Sequence, residues 1–133
     1  MNIKPTISFE DFTKLDIRIG KIIEVDRVPE TDKLYQLQVD FGLLPSDEAD
    51  VAKEVDSNES TADSREIRQI VSGIADRIET EDLLGMMCPF ILNLESRTIR
   101  GVESNGMILA VGSETDFALL NPHASVKPGA LIR

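Results

Sequence analysis

Cysteine and histidine are nearly missing from this 133-residue chain, which has one of each, Cys88 and His123. A lone cysteine excludes an internal disulfide, and with one histidine it cannot supply the ligand set of a structural zinc site. A reducing, cytoplasmic setting is the expectation that fits. Long apolar runs are missing too. None approaches the roughly 18 residues needed to span a bilayer, and the opening Met-Asn-Ile-Lys-Pro-Thr lacks the apolar core of a signal peptide, so a soluble protein without a membrane partner is expected. Positive charge is scarce: 14 Lys and Arg stand against 24 Asp and Glu, a net charge of −10 at pH 7. That balance argues against avid, unselective nucleic-acid binding, which needs a broad positive field.

What is present suffices for one domain spanning residues 1–133, because a chain of this size buries about two thirds of its unfolded surface without staples. The acidity is uneven. Residues 44–66 hold 8 acids and 2 bases, a net of −6, and include no aromatic residue. Their Ser, Asp, Glu and Ala content and weak apolar periodicity predict a solvated insertion, with at most a weak helix from Asp47 to Val55, in which no chemistry is expected. The remaining chain carries only −4, which leaves room for a local basic face.

Five strands are predicted by alternation. Ser8 caps a short helical turn with acids in its first turn. Leu15 to Val25 then alternates, with Gly20 inside it predicting a bulge or sharp bend that re-aims Lys21. Leu34 to Phe41 sets Leu37, Val39 and Phe41 against Gln36, Gln38 and Asp40. Arg68 to Ile74 is the third strand, and Thr80 is expected to cap a short helix that stops at Gly85. Met86 to Leu94 reads as a buried strand in which Pro89 must lie at an edge or bulge, and Met107 to Val111 as the last core strand. Asn93 to Gly106 is a polar, glycine-punctuated stretch, and the tail carries turn signals at Asn121-Pro122 and Pro128-Gly129. Five strands with a short helix between the third and fourth are the order of an all-β, five-stranded Greek-key barrel of the oligonucleotide/oligosaccharide-binding kind, here with a C-terminal extension.

No catalytic set emerges. Cys88 sits in an apolar run and reads as a buried structural thiol, while His123 lies in a turn near the tail. The Gly101–Gly106 spacing lacks the Lys-Ser/Thr that follows in a phosphate-cradling loop, Glu81-Asp82 fits a helix start, and the acidic insertion lacks calcium-loop spacing. No enzyme, metal or cofactor is therefore expected. What remains is a set of basic and amide side chains at strand and loop boundaries: Arg18, Lys21, Lys33, Gln69, Asn93, Arg97 and Arg100. In a barrel of this kind, ligands lie across strands 2 and 3 and the adjoining loops, where such residues could converge.

Three blocks carry a resemblance: Asp16-Ile-Arg-Ile-Gly-Lys21 with Pro29-Glu-Thr-Asp-Lys-Leu-Tyr35; Arg68-Gln-Ile-Val-Ser-Gly73; and Asn93-Leu94 with Ile99-Arg-Gly-Val-Glu-Ser-Asn-Gly-Met-Ile-Leu-Ala110. Together with Pro128-Gly129 they resemble the tRNA-binding domain of CsaA-type proteins, of C-terminal extensions of methionyl-tRNA synthetases and of synthetase-associated cofactors. The resemblance implies a non-catalytic OB-fold domain that binds tRNA by shape, often as a homodimer. It places Arg18, Lys21, Lys33, Asn93 and Arg100 where the family presents basic or amide groups to RNA, and Gln69, Ser72, Ser104 and Met107 in the pattern around that face. Gly101 and Gly106 are expected to allow a bulge and a close backbone approach.

Two departures stand out. Where the family continues Lys-Pro-Ala-Lys after Asn93-Leu94, this chain has Glu95-Ser96-Arg97-Thr98, and the first loop has Val28-Pro29-Glu30-Thr31 where the family favours His-Pro-Asp-Ala. A chain running from Met1 to just past the last block is expected to be free-standing, CsaA-like or accessory to an aminoacyl-tRNA synthetase. The rival readings are a chaperone-like module that binds unfolded peptides and a subunit that docks on a synthetase, with Ala118 to Arg133 as the expected dimer surface.

Overall fold

The computed structural model describes residues 1–43, 65–112 and 115–133. Helix α1 (Phe9–Thr13) starts as its sequence predicts, the Asp11 N–H donating to Ser8 Oγ at 3.1 Å. Strands β1 (Ile17–Arg27), β2 (Tyr35–Leu43) and β3 (Arg65–Ser72) follow, then helix α2 (Thr80–Leu83) and β4 (Met87–Ile91). The short strands β5 (Arg97–Ile99), β6 (Val102–Ser104), β7 (Met107–Ile108), β8 (Ala110–Gly112) and β9 (Phe117–Leu119) complete the order. One antiparallel sheet runs β3-β2-β1-β4-β7, and β5–β6 and β8–β9 are separate two-stranded ribbons. The sheet curls until its edges meet. The Asn105 N–H donates to Gln69 O at 2.8 Å, and the Val71 N–H to Ser104 Oγ at 2.9 Å. The result is the expected OB-like barrel, with α2 between the third and fourth strands.

The barrel is filled by the alternating positions. Leu37, Val39 and Phe41 of β2 meet Ile22, Ile70, Cys88, Phe90 and Ile108, with Phe41 and Phe90 edge to face at 5.4 Å. Tyr35 is fully buried, and its hydroxyl donates to Ile78 O at 2.7 Å. Burial pushes the Cys88 thiol up to about 11, which keeps it protonated and inert. Ile17 and Ile19 face the opposite way and are covered by the tail, which adds to β1 as an extra strand segment. The Gly129 N–H donates to Ile19 O at 2.7 Å, the Ile19 N–H to Ala130 O at 3.0 Å, and the Ile132 N–H to Ile17 O at 2.9 Å. Gly42 and Gly129 permit this docking: both have φ near +90°, and a Cβ on either would strike the carbonyl of the other segment.

Several expectations need correction. Gly20 is not the bulge; the register slips at Ile23, between the Ile22–Val39 and Glu24–Gln38 pairs. Gly20 is small because Phe41 and Val39 pack where its Cβ would be, each 2.5 Å away at the nearest atom. Pro89 lies in an interior strand rather than at an edge. It pairs with Ile19, whose N–H and C=O are both turned to the tail, so no ladder bond from the proline towards β1 is missing. Helix α2 begins at Thr80, and Glu79 takes the cap position without a side-chain bond. The last predicted strand splits at Leu109: β7 stays with β4, and β8 leaves to pair with β9. Arg65 and Glu66, placed by charge in the acidic insertion, belong to β3. The rest of that insertion, with its weak helix, lies outside the described residues.

Candidate nucleic-acid interface

The polar stretch after β4 is an ordered ribbon. Ile99 pairs with Val102 across a two-residue turn, and the two central residues, Arg100 (φ 52°) and Gly101 (φ 81°), both have positive φ, as a type I′ hairpin turn requires. That turn presents Arg100 to solvent at the tip. Opposite it, the loop between β1 and β2 is closed by the Val28 N–H donating to Leu34 O at 3.1 Å and by the Thr31 hydroxyl donating to Val28 O at 2.9 Å. Its Lys33 and the ribbon's Arg100 line one cleft of about 460 Å³, together with Glu30, Asp32 and Ile99. Among the described residues neither cation has an ion pair, and Arg97, exposed on β5, has none either.

Beside this cleft runs a strip of amides on the outer face of β2 and β3. Gln36 and Gln38 each donate to Gln69 Oε1 at 3.1 Å, and Gln69 Nε2 donates to Glu103 O at 2.8 Å, which ties the ribbon to the barrel. The ribbon's orientation thus depends on Gln69. Ser104 is 5% exposed and joins the same seam, accepting from Val71 and donating to Gly106 O at 3.2 Å. Gly106 makes the close approach expected of it, since a Cβ there would lie 3.0 Å from Ile70.

The other candidates are placed elsewhere. Arg18 lies at the far end of the barrel, its Nε donating to Asp16 at 2.7 Å and its Nη1 to Gly129 O at 3.1 Å. Asn93 bridges the chain's own backbone: Asp16 N–H donates to its Oδ1 at 2.8 Å and its Nδ2 donates to Lys14 O at 2.6 Å. Lys21 lines a separate cleft against the tail. Ser72 borders a third, near Ile108 and Phe117, and Met107 is half-exposed on β7 beside Ile91. Of the ten residues singled out, the fold gathers Lys33, Arg100, Arg97, Gln69 and Ser104 around the ribbon and disperses the rest.

Arg68 and Arg27, cations with structural partners, escaped the sequence reading. Arg68 donates to Glu66 at 2.7 Å, to Leu92 O at 2.7 Å and to Asn105 O at 3.3 Å, beside Arg18. Its signal was parity, since it shares the inward register of Ile70 and a cation there needs partners. Arg27 stacks on Tyr35, 5.6 Å from the ring centroid, and its Nη1 reaches Asp32 O at 3.4 Å, at the foot of the Lys33 loop. No cluster of three or more metal-ligating side chains occurs among the described residues, and none of their helices is long and apolar enough to cross a membrane.

The structure is a small barrel with a solvent-facing amide strip and, on the neighbouring loops, cations without an ion pair among the described residues, the build of barrels that hold polymeric polar ligands across their strands. The family model described as "Putative tRNA binding domain" matches residues 50–131, and the chain belongs to that family. The chain is 41% identical over 127 residues to the methionine–tRNA ligase of Thermococcus kodakarensis, covering 96% of this chain and 14% of that protein. It therefore spans about one seventh of the curated relatives it matches. Among solved structures it resembles a MetRS-related protein from Pyrococcus horikoshii, with a TM-score of 0.75 and 28% identity over 98% of this chain and 100% of that one. The chaperone CsaA from Bacillus anthracis str. Ames follows at 0.70 and 25%, covering 97% and 100%.

Proposed function

We propose that this tRNA-binding domain is a non-catalytic module that recognises tRNA by its folded shape, using the cleft between the Lys33 loop and the Arg100 ribbon. The observation that carries the reading is the meeting of two cations from distant parts of the sequence with no ion pair among the described residues. Lys33, Arg100 and Arg97 would neutralise phosphates, and the amide strip would meet 2′-hydroxyls or base edges. Gln69 and Ser104 serve this face indirectly, because their polar groups hold the ribbon to the barrel, whereas Arg18 and Asn93 bind the chain's own backbone at the opposite end. Lys21, Ser72 and Met107 lie outside the cleft.

An accessory role beside an aminoacyl-tRNA synthetase is supported by the ligases among the relatives. A second reading, as a binder of unfolded peptides or of a second copy of the chain, is favoured by one feature. The tail leaves an apolar trough lined by Ile19, Pro89, Leu120, Val126 and Leu131, of which the last three are half-exposed. Equilibrium titration with bulk tRNA at two salt concentrations, beside a duplex DNA control, tests the main reading. Salt-sensitive binding that prefers tRNA is expected; affinity no better than for the DNA would refute it and favour the trough.

A further inference from the structure

A second cleft lies away from the Arg100 ribbon. It is about 780 Å³, between the outer face of β1 and β2 and the tail loop 121–128. Lys21 is fixed on that face by its register with Asp40 in β2 and Met87 in β4. Arg65 also lines the cleft, but it grips Asp40 at 2.9–3.1 Å, and Asp40 accepts from the Gly42 N–H at 2.8 Å, so this pair cancels. Lys21, without an ion pair among the described residues, leaves the cleft net positive in a chain of charge −10. The tail adds hydrogen-bonding side chains from Asn121, His123 and Ser125. A mobile anion with several acceptor oxygens matches this lining.

This cleft is not a continuation of the interface above. Lys21 and Arg27 stand six residues apart on β1, about 20 Å at the usual strand rise, and the Lys33 loop lies beyond Arg27. On the outer face between them stand Glu24 and Asp26, opposite Gln38 and Gln36, so a phosphate backbone laid along the strand would meet two acids. We propose that the cleft of Lys21 and His123 is a second, independent binding site for a phosphate group, carried by a small phosphate ligand or by a nucleic-acid strand.

The single histidine gives one imidazole resonance, and it reports from inside the site. Titration with inorganic pyrophosphate, against sodium chloride at matched ionic strength, is expected to move that resonance saturably with a dissociation constant of about 1 mM or tighter. Lys21→Gln, at an exposed position, should weaken the response about tenfold, whereas Lys33→Ala/Arg100→Ala should leave it intact, which separates this site from the proposed tRNA cleft. A further titration of Lys33→Ala/Arg100→Ala with tRNA assigns the source. A shift there points to a nucleic-acid strand, and a response to pyrophosphate alone points to a small ligand. No saturable shift with pyrophosphate, the same shift with chloride, or an unchanged response in Lys21→Gln would overturn the proposal.

Discussion

The two ends of the barrel carry similar side chains and use them in opposite ways. At the end closed by the tail, Arg18 and Arg68 face each other across one cleft, and each is held by a carboxylate and by backbone carbonyls. At the other end, Lys33 and Arg100 share a cleft with no ion pair among the described residues. The first pair closes the fold and the second faces outward. A cation's residue type therefore says little about its role; its donors must be traced to their acceptors.

The largest effect should come from the structural end. Arg68→Ala removes an ion pair and leaves Leu92 O and Asn105 O without their donor, so a loss of about 3 kcal/mol in denaturant unfolding is expected, with tRNA affinity per folded molecule unchanged. A smaller loss at that end would mean Arg68 is as free as Arg100, and the contrast would break. At the open end, Lys33→Ala/Arg100→Ala should lower tRNA affinity by roughly 2 kcal/mol, about thirtyfold, without changing the melting temperature. Asn93→Ala sharpens the contrast from the residue side. If its amide acts only on Lys14 and Asp16, unfolding stability should fall by about 1.5 kcal/mol and RNA binding should hold. The smallest change tests the open cleft itself. Glu30 has φ of 66°, so Glu30→Gly should stabilise the protein by roughly 0.5–1 kcal/mol and, by removing an acid beside Lys33, tighten tRNA binding.

The barrel was legible because its core positions repeat with period two. Leu37, Val39 and Phe41 need no tertiary information to be placed inside, and the Ser8 cap is local chemistry. The failures fall where a distant segment decides. Gly20 reads as a bend until Phe41 and Val39 are seen to occupy its space, and Pro89 reads as an edge until the tail is found bonded to Ile19. The ribbon of β5 and β6 was hidden because each strand has only three residues, too few for alternation to show. The proposed interface was half legible for the same reason. Lys33 and Arg100 announce themselves as loop cations, yet nothing local separates them from Arg18, whose donors reach a carbonyl 111 residues away. Asn93 is the sharpest case: its resemblance to an RNA-facing amide is one of position, and both of its bonds go to residues nearly 80 positions earlier.

The salt dependence of tRNA binding tests the contrast between the two ends most directly. Each phosphate contact contributes about 0.7–0.9 to the slope of log affinity against log salt. Lys33→Ala/Arg100→Ala should reduce the slope by about 1.4–1.8, while Arg68→Ala, measured under conditions where it stays folded, should leave it unchanged. An unchanged slope in the first variant and a reduced slope in the second would contradict the account and move the RNA contacts to the opposite end of the barrel.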